Sequence, residues 1–281
     1  MDVGSRLRAC ERRWGLQAGG RLGGGFRSDV FDCTTSTGSE VVVKLSATSE
    51  EARAEAAALT AWMPTRAAAQ LIDVDGDLDA LLLERVRPGT ALSGGDGLAA
   101  VAVAADLLMR LHGAEPGGFC FPTLAESYPR LEDQARDDAA YERRTRGDPA
   151  RGAAGLDRLG AAATTARELC ASIERTVLLH GDFLRKNVLL RGTGYAAIDP
   201  MPRVGDPCAD VGFFAADQPP ATILDRAVLI AERMGVDQHR ARRWAAVWTV
   251  LQAAQAWRED QRDLEGALTG QEFDDLLTAP T

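Results

Sequence analysis

The sequence predicts an α+β protein of two unequal lobes, a small antiparallel β-sheet carrying one helix and a larger, mostly helical part. Three observations carry this expectation. Short apolar or β-branched runs, broken by turns rich in Gly and Asp, fill the stretch before Pro88. From Ser93 onward apolar residues recur at helical spacing. The chain has 281 residues, 46% of them hydrophobic, enough for a sizeable core that fits two lobes better than one unit. The expected division is residues 1–86 and residues 87–281.

Taken in order, Gly23-Gly24-Gly25-Phe26 forms a turn between Leu22 and the strand-like Val30-Phe31-Asp32-Cys33. The run Glu40-Val41-Val42-Val43-Lys44-Leu45 is a strand with one lysine inside it, and a buried lysine needs an anionic partner. Ser49 to Trp62 is rich in alanine and reads as a helix capped by Ser49. On it Glu51 and Glu55 stand one turn apart on the same face. Gln70 to Asp75 and Leu78 to Glu84 are two further strands around the turn Gly76-Asp77, and Pro88-Gly89 then marks a hinge.

In the second half, Leu98, Val101, Ala105, Leu108 and His112 make one apolar stripe, with His112 read as a helix terminus before Gly113. Helices are also expected around 156–173, 221–234 and 238–257. The charged stretch from Tyr128 to Pro149 reads equally as a helical hairpin over a pocket or as a solvated linker. Short strands are expected at Thr176–Leu179, Val188–Arg191 and Tyr195–Ile198.

Between these strands lies the segment that carries chemistry. His180-Gly181-Asp182 is followed by Asn187 and, twelve positions later, by Asp199. Transfer of a phosphoryl group from Mg-ATP needs one group to orient the attacking hydroxyl and oxygen ligands to hold the metal. A hairpin through Gly192 and Gly194 brings Asn187 and Asp199 together, and two such oxygens suit Mg²⁺. His180 reads as structural, and Asp210 reads equally as a helix-terminus residue or as a brace for the loop.

These residues resemble the aminoglycoside phosphotransferase family, antibiotic kinases related to protein kinases. The family's His-Gly-Asp-x-x-x-x-Asn loop falls on His180, Gly181, Asp182 and Asn187, its metal aspartate on Asp199, and its Gly-Asp-x-x-x-Asp on Gly205, Asp206 and Asp210. Asp199-Pro200 followed by Val204-Gly205-Asp206-Pro207 is similar to the branch holding streptomycin 6-kinases and hydroxyurea kinases. The resemblance implies a bilobal protein-kinase-like fold that binds ATP, or GTP, with Mg²⁺. It implies that Asp182 is catalytic and that Asn187 and Asp199 bind metal. Lys44 would hold phosphates with Glu55 positioning it, Glu51 being the fallback. Gly24 and Gly25 would cover the phosphates, and adenine would bond backbone between Glu84 and Val86. Where protein kinases carry a lysine two residues after the catalytic aspartate, this chain has Leu184, with Arg185 and Lys186 the nearest cations.

The formal net charge of −9 argues against a nucleic-acid partner and is compatible with a cationic small molecule. In the family a carboxylate-lined pocket receives the antibiotic's cationic groups. The candidates here are Asp206, Asp133 and Asp137, and Glu259 and Asp260 beyond a Trp-containing helix. Solvated helix faces read the same way. The antibiotic is expected to be a streptomycin-type aminoglycoside or a tuberactinomycin peptide such as capreomycin or viomycin; the alternative is a metabolic kinase of the choline, sugar or homoserine type, or a non-catalytic nucleotide- or drug-binding protein. Five widely spaced cysteines, Cys10, Cys33, Cys120, Cys170 and Cys208, show neither zinc nor disulfide spacing. With no membrane-length apolar run, a cytoplasmic monomer or weak dimer is expected.

Overall fold

The computed structural model describes residues 1–23, 28–92, 97–146, 149–217, 223–259 and 271–278. Its first lobe begins with two elements that the sequence did not announce, the helix α1 (Val3–Trp14) and the strand β1 (Leu16–Leu22). Only Cys10 of α1 is fully buried, so its apolar signal is thin. It is held by Leu7, Cys10 and Trp14 packed on the sheet and by Arg6, whose guanidinium donates to the backbone oxygens of Ser46, Leu78 and Asp79. Gly19 and Gly20 hide β1 in the same way, since they read as turn.

The strands β1, β2 (Ser28–Thr35), β3 (Glu40–Ser46), β4 (Leu71–Asp75) and β5 (Ala80–Glu84) form one antiparallel sheet in the order β1-β2-β3-β5-β4. β3 is central and its alternation sorts the two faces. Val41, Val43 and Leu45 pack with Cys10, Leu16, Cys33 and Leu82, while Lys44 points to the opposite face. There α2 (Ser49–Trp62) crosses the sheet. Its N-cap is Thr48 rather than Ser49, because the Thr48 hydroxyl accepts from the Glu51 N–H at 3.2 Å.

In the second lobe β6 (Pro88–Ala91), β8 (Val188–Arg191) and β9 (Gly194–Ala197) form a three-stranded sheet. β7 (Val177–Leu179) pairs with β10 (Arg203–Gly205), whose Arg-Val-Gly lacks the apolar run that made β7 readable from sequence. The described helices here are α3 (Gly97–His112), α4 (Leu124–Arg146), α5 (Pro149–Ala171), α6 (Pro207–Ala216), α7 (Ile223–Met234), α8 (Gln238–Glu259) and α9 (Gln271–Thr278). Thus the described part of the charged 128–149 stretch belongs to α4 and the start of α5, and α4 buries Leu124, Tyr128 and Ala135. At the centre Trp244 and Trp248 of α8 stack at 5.7 Å. Gly212 lets α6 meet α8 backbone to backbone, since a Cβ there would lie 2.6 Å from the Ala245 nitrogen.

The lobes are joined by more than the hinge. Residues 67–69 run along β9, with Ala69 N–H donating to Ala197 O and Ala197 N–H to Ala67 O at 2.9 and 2.8 Å. The Arg191 guanidinium donates to the Ala68 carbonyl and reaches Glu84 at 3.4 Å. Among the described residues no helix is long and apolar enough to cross a membrane.

Candidate active site

Lys44 is 5% exposed, and its ammonium touches two carboxylates, Glu55 of α2 and Asp199 after β9, each at 2.5 Å. Burial alone would discharge the lysine. The two negative charges more than offset it and hold Lys44 above the ordinary lysine value. Of the two glutamates on α2 it is therefore Glu55 that meets the lysine, and burial pushes the Glu55 carboxyl up against the pull of Lys44. Burial also works against ionised Asp199, but Lys44 outweighs it and keeps that carboxyl below its usual value. Asp199 takes a left-handed backbone conformation, φ 55°, which aspartate tolerates better than most side chains.

Across from this cluster the segment 180–187 forms a closed loop. Leu184 N–H donates to Asp182 O and Asn187 N–H to Leu184 O, both at 2.9 Å, making a short turn over Arg185–Asn187. The Asn187 amide nitrogen then donates to the backbone oxygen of Asp182 at 2.9 Å and to its Oδ2 at 2.8 Å. Asn187 O in turn accepts from Ile198 N–H at 2.8 Å, so the loop and Asp199 share one frame. Burial pushes the Asp182 carboxyl up to about 6, with the charge of Lys186 the first of the opposing influences.

The loop is braced from beneath. Asp210, 2% exposed, accepts from the backbone N–H of His180 at 2.8 Å and of Gly181 at 3.0 Å, and from His112 Nε2 at 3.0 Å. Burial raises its carboxyl, and these hydrogen bonds and the nearby imidazoles bring it below the ordinary value. The question left open by the sequence is thereby decided, since Asp210 braces the 180–187 loop. His112 is likewise more than a helix terminus, being Asp210's buried partner. His180 is fully buried, and burial lowers it to about 4, so its ring is neutral. Nε2–H donates to Ile198 O at 3.1 Å while Nδ1 accepts from Asp182 N–H at 3.3 Å, a consistent tautomer. Trp62, at the end of α2, stacks on this ring at 6.1 Å and 11°.

Gly181 has φ 75°, and a Cβ there would lie 2.1 Å from Met201 O, inside any allowed contact. Gly181→Ala should therefore destabilise the fold by at least about 2 kcal/mol, measured by denaturant unfolding. An unchanged midpoint would show that the loop has room it lacks here.

Other sequence expectations fare differently. Asp206 is 2% exposed and its oxygens accept from Cys208 N–H at 2.9 Å, Trp244 Nε1 at 2.6 Å and Arg240 Nε at 2.5 Å. It caps α6 and ties it to α8, so it is withdrawn as a substrate contact. Asp133 and Asp137 are exposed on α4, and Glu259 ends α8. Gly24, Gly25 and Asp260 lie outside the described residues. At the hinge, Val86 is buried, and the Glu84 N–H already donates to Gln70 O at 2.9 Å. Three residues near the loop were missed. Arg203, 6% exposed, contributes its charge at Asp182 from β10, a strand without a sequence signal. Asp217 accepts from Arg185 N–H at 2.8 Å from the end of α6, and only the fold brings them together. Trp62 reads in sequence as ordinary helix core.

With that geometry in place, residues 13–261 match the family model described as aminoglycoside/hydroxyurea antibiotic resistance kinase. The chain belongs to this family. The kinase is 33% identical over 248 residues to a hydroxyurea phosphotransferase of Kitasatospora aureofaciens, covering 83% of this chain and 66% of that protein. It is 30% identical over 279 residues to a streptomycin 6-kinase of Streptomyces griseus, covering 92% of this chain and 82% of that protein. In fold it is similar to a choline/ethanolamine kinase family protein of Mesorhizobium loti, with a TM-score of 0.65, 14% identity and coverage of 97% and 98% of the two chains. The kinase is thus a small-molecule phosphotransferase with the bilobal protein-kinase-like fold.

Proposed function

We propose that the protein transfers the γ-phosphoryl group of ATP, with Mg²⁺, to one hydroxyl of a cationic antibiotic, a streptomycin-type aminoglycoside in the first instance. The observation that carries this reading is the facing pair of clusters, Lys44 with Glu55 and Asp199 on one side and Asp182 with Asn187 on the other. Resemblance to the streptomycin 6-kinase over 82% of its length, and the exposed carboxylates Asp133 and Asp137, favour the cationic substrate class. Likeness to the hydroxyurea phosphotransferase supports a second reading, in which a small uncharged N-hydroxy compound is the acceptor.

The nucleotide would lie between residues 1–86 and the rest, its phosphates against Lys44 and its adenine along the backbone from Glu84 to Val86. The donors fit magnesium. Asn187 uses its amide nitrogen on Asp182, which leaves Oδ1 as its ligand atom, and Asp199 supplies a carboxylate. Two hard oxygens of this kind, completed by phosphate and water, are a usual Mg²⁺ set. Bound there, the ion would neutralise phosphate charge. Asp182 would accept the hydrogen bond of the acceptor hydroxyl and take its proton as the new O–P bond forms and the β–γ bridging bond breaks, leaving ADP.

The test is incubation with ATP and Mg²⁺ of streptomycin, capreomycin, viomycin, hydroxyurea and choline, each followed by mass spectrometry. A gain of one phosphate on streptomycin is the expected result. Phosphate on hydroxyurea alone would establish the second reading, and no product from any acceptor, with no nucleotide consumed, would overturn both.

A further inference from the structure

We propose that Lys186 is the cation that meets the transferring phosphoryl group from the acceptor side. This rests on the phosphotransferase reading above. A phosphoryl group in flight spreads negative charge over its oxygens, and fixed cations in a cleft stabilise that charge best where it develops. Lys44 serves the nucleotide side, because both of its ion pairs are with groups of that side, Glu55 and Asp199. The catalytic loop carries the candidates for the other side, Arg185 and Lys186, and β10 brings up Arg203.

The structure separates the three. Arg185 is turned away, its backbone N–H and Nε both bound to Asp217 at 2.8 and 3.0 Å, with the carboxylate 3.5 Å from Nε. Arg203 is 6% exposed and donates from Nε to Met201 O at 3.2 Å, which places it beneath the loop. Lys186 sits on the short turn between Arg185, anchored to Asp217, and Asn187, anchored to Asp182, so both neighbours fix its backbone. Its side chain is exposed, and among the described residues no carboxylate forms a direct ion pair with it. Its charge is nonetheless felt at Asp182, Asp199 and Asp217. At Asp182 it outranks every other lowering influence, whereas at Asp199 Lys44 does. Of the three, Lys186 is the one with an exposed side chain on the loop that carries Asp182, whereas Arg185 is committed to Asp217 and Arg203 is buried.

A planar fluoroaluminate bound with Mg-ADP mimics the group in flight and needs no antibiotic, so substrate identity does not enter. In the intact protein fluoroaluminate should tighten Mg-ADP binding, and Lys186→Met should lose about 10- to 100-fold of that tightening. Lys186→Arg should keep most of it, and affinity for Mg-ADP alone should stay within about twofold in both variants. The side chain is exposed, so truncation spares the core. Equal tightening in Lys186→Met and the unmodified protein, or none in the unmodified protein, overturns the assignment while leaving the nucleotide reading standing. Failure of the unmodified protein to bind Mg-ADP at all would overturn both.

Discussion

Asp182→Asn is expected to lower kcat by about 10²- to 10⁴-fold, the range for losing general-base assistance, with the KM for nucleotide little changed. The amide keeps the shape of the carboxylate and can still pair with Asn187, so the loop should persist. What disappears is the proton acceptor. Because burial pushes this carboxyl up to about 6, the native rate should fall as pH drops through about 6, and the residual rate of Asp182→Asn should not follow that limb. Stability carries the opposite sign. A carboxyl whose folded value lies above its ordinary 3.8 binds its proton more tightly in the folded state, so ionising it opposes folding. The native protein should therefore lose stability as pH rises from about 4 to about 6, and Asp182→Asn should be the more thermostable of the two at neutral pH. Full turnover in Asp182→Asn would remove this residue from the mechanism.

Lys44→Met should both abolish measurable turnover and destabilise the protein by about 3–5 kcal/mol, the cost of stranding one member of a buried ion pair. Glu55 is 4% exposed and one of its oxygens already lacks a hydrogen-bond partner, so without the lysine its charge has no compensation. It would then take up a proton, with its pKa raised further by burial, and Lys44→Met should regain stability as pH falls. The double variant Lys44→Met/Glu55→Leu replaces the pair with apolar volume. It should recover most of the lost stability and none of the activity, which separates packing from chemistry. Denaturant midpoints and steady-state rates read the two effects, and a double variant no more stable than Lys44→Met would refute the account.

The parts of this site legible in sequence were those that one short segment brings together. His180 to Asn187 and Asp199 lie within twenty residues and are joined by a hairpin, so their spacing alone implied their meeting. Lys44 was legible for a different reason, since a lone charge in a β-branched strand demands a partner. Asp206 misled because a buried helix cap and a pocket carboxylate look alike in sequence, and only its bonds to Trp244 and Arg240 distinguish them. His112 and Asp210 are 98 residues apart, a relation no local pattern encodes. α1 stayed hidden because its apolar stripe, Leu7, Cys10 and Trp14, is narrow and set among charged residues, while the three carbonyls that Arg6 binds lie far away in sequence.

The stacking of Trp62 on His180 has a mechanical corollary. Trp62 closes the same helix that carries Glu55, and its indole N–H is anchored on Leu111 O at 3.1 Å, one residue before His112 in the brace beneath the loop. A sideways slip of that helix would drag the indole across the imidazole and disturb the ring that orders Asp182. Alignment of the lysine with its glutamate and alignment of Asp182 are thus geared to one another through this pair of rings as well as through Asp199.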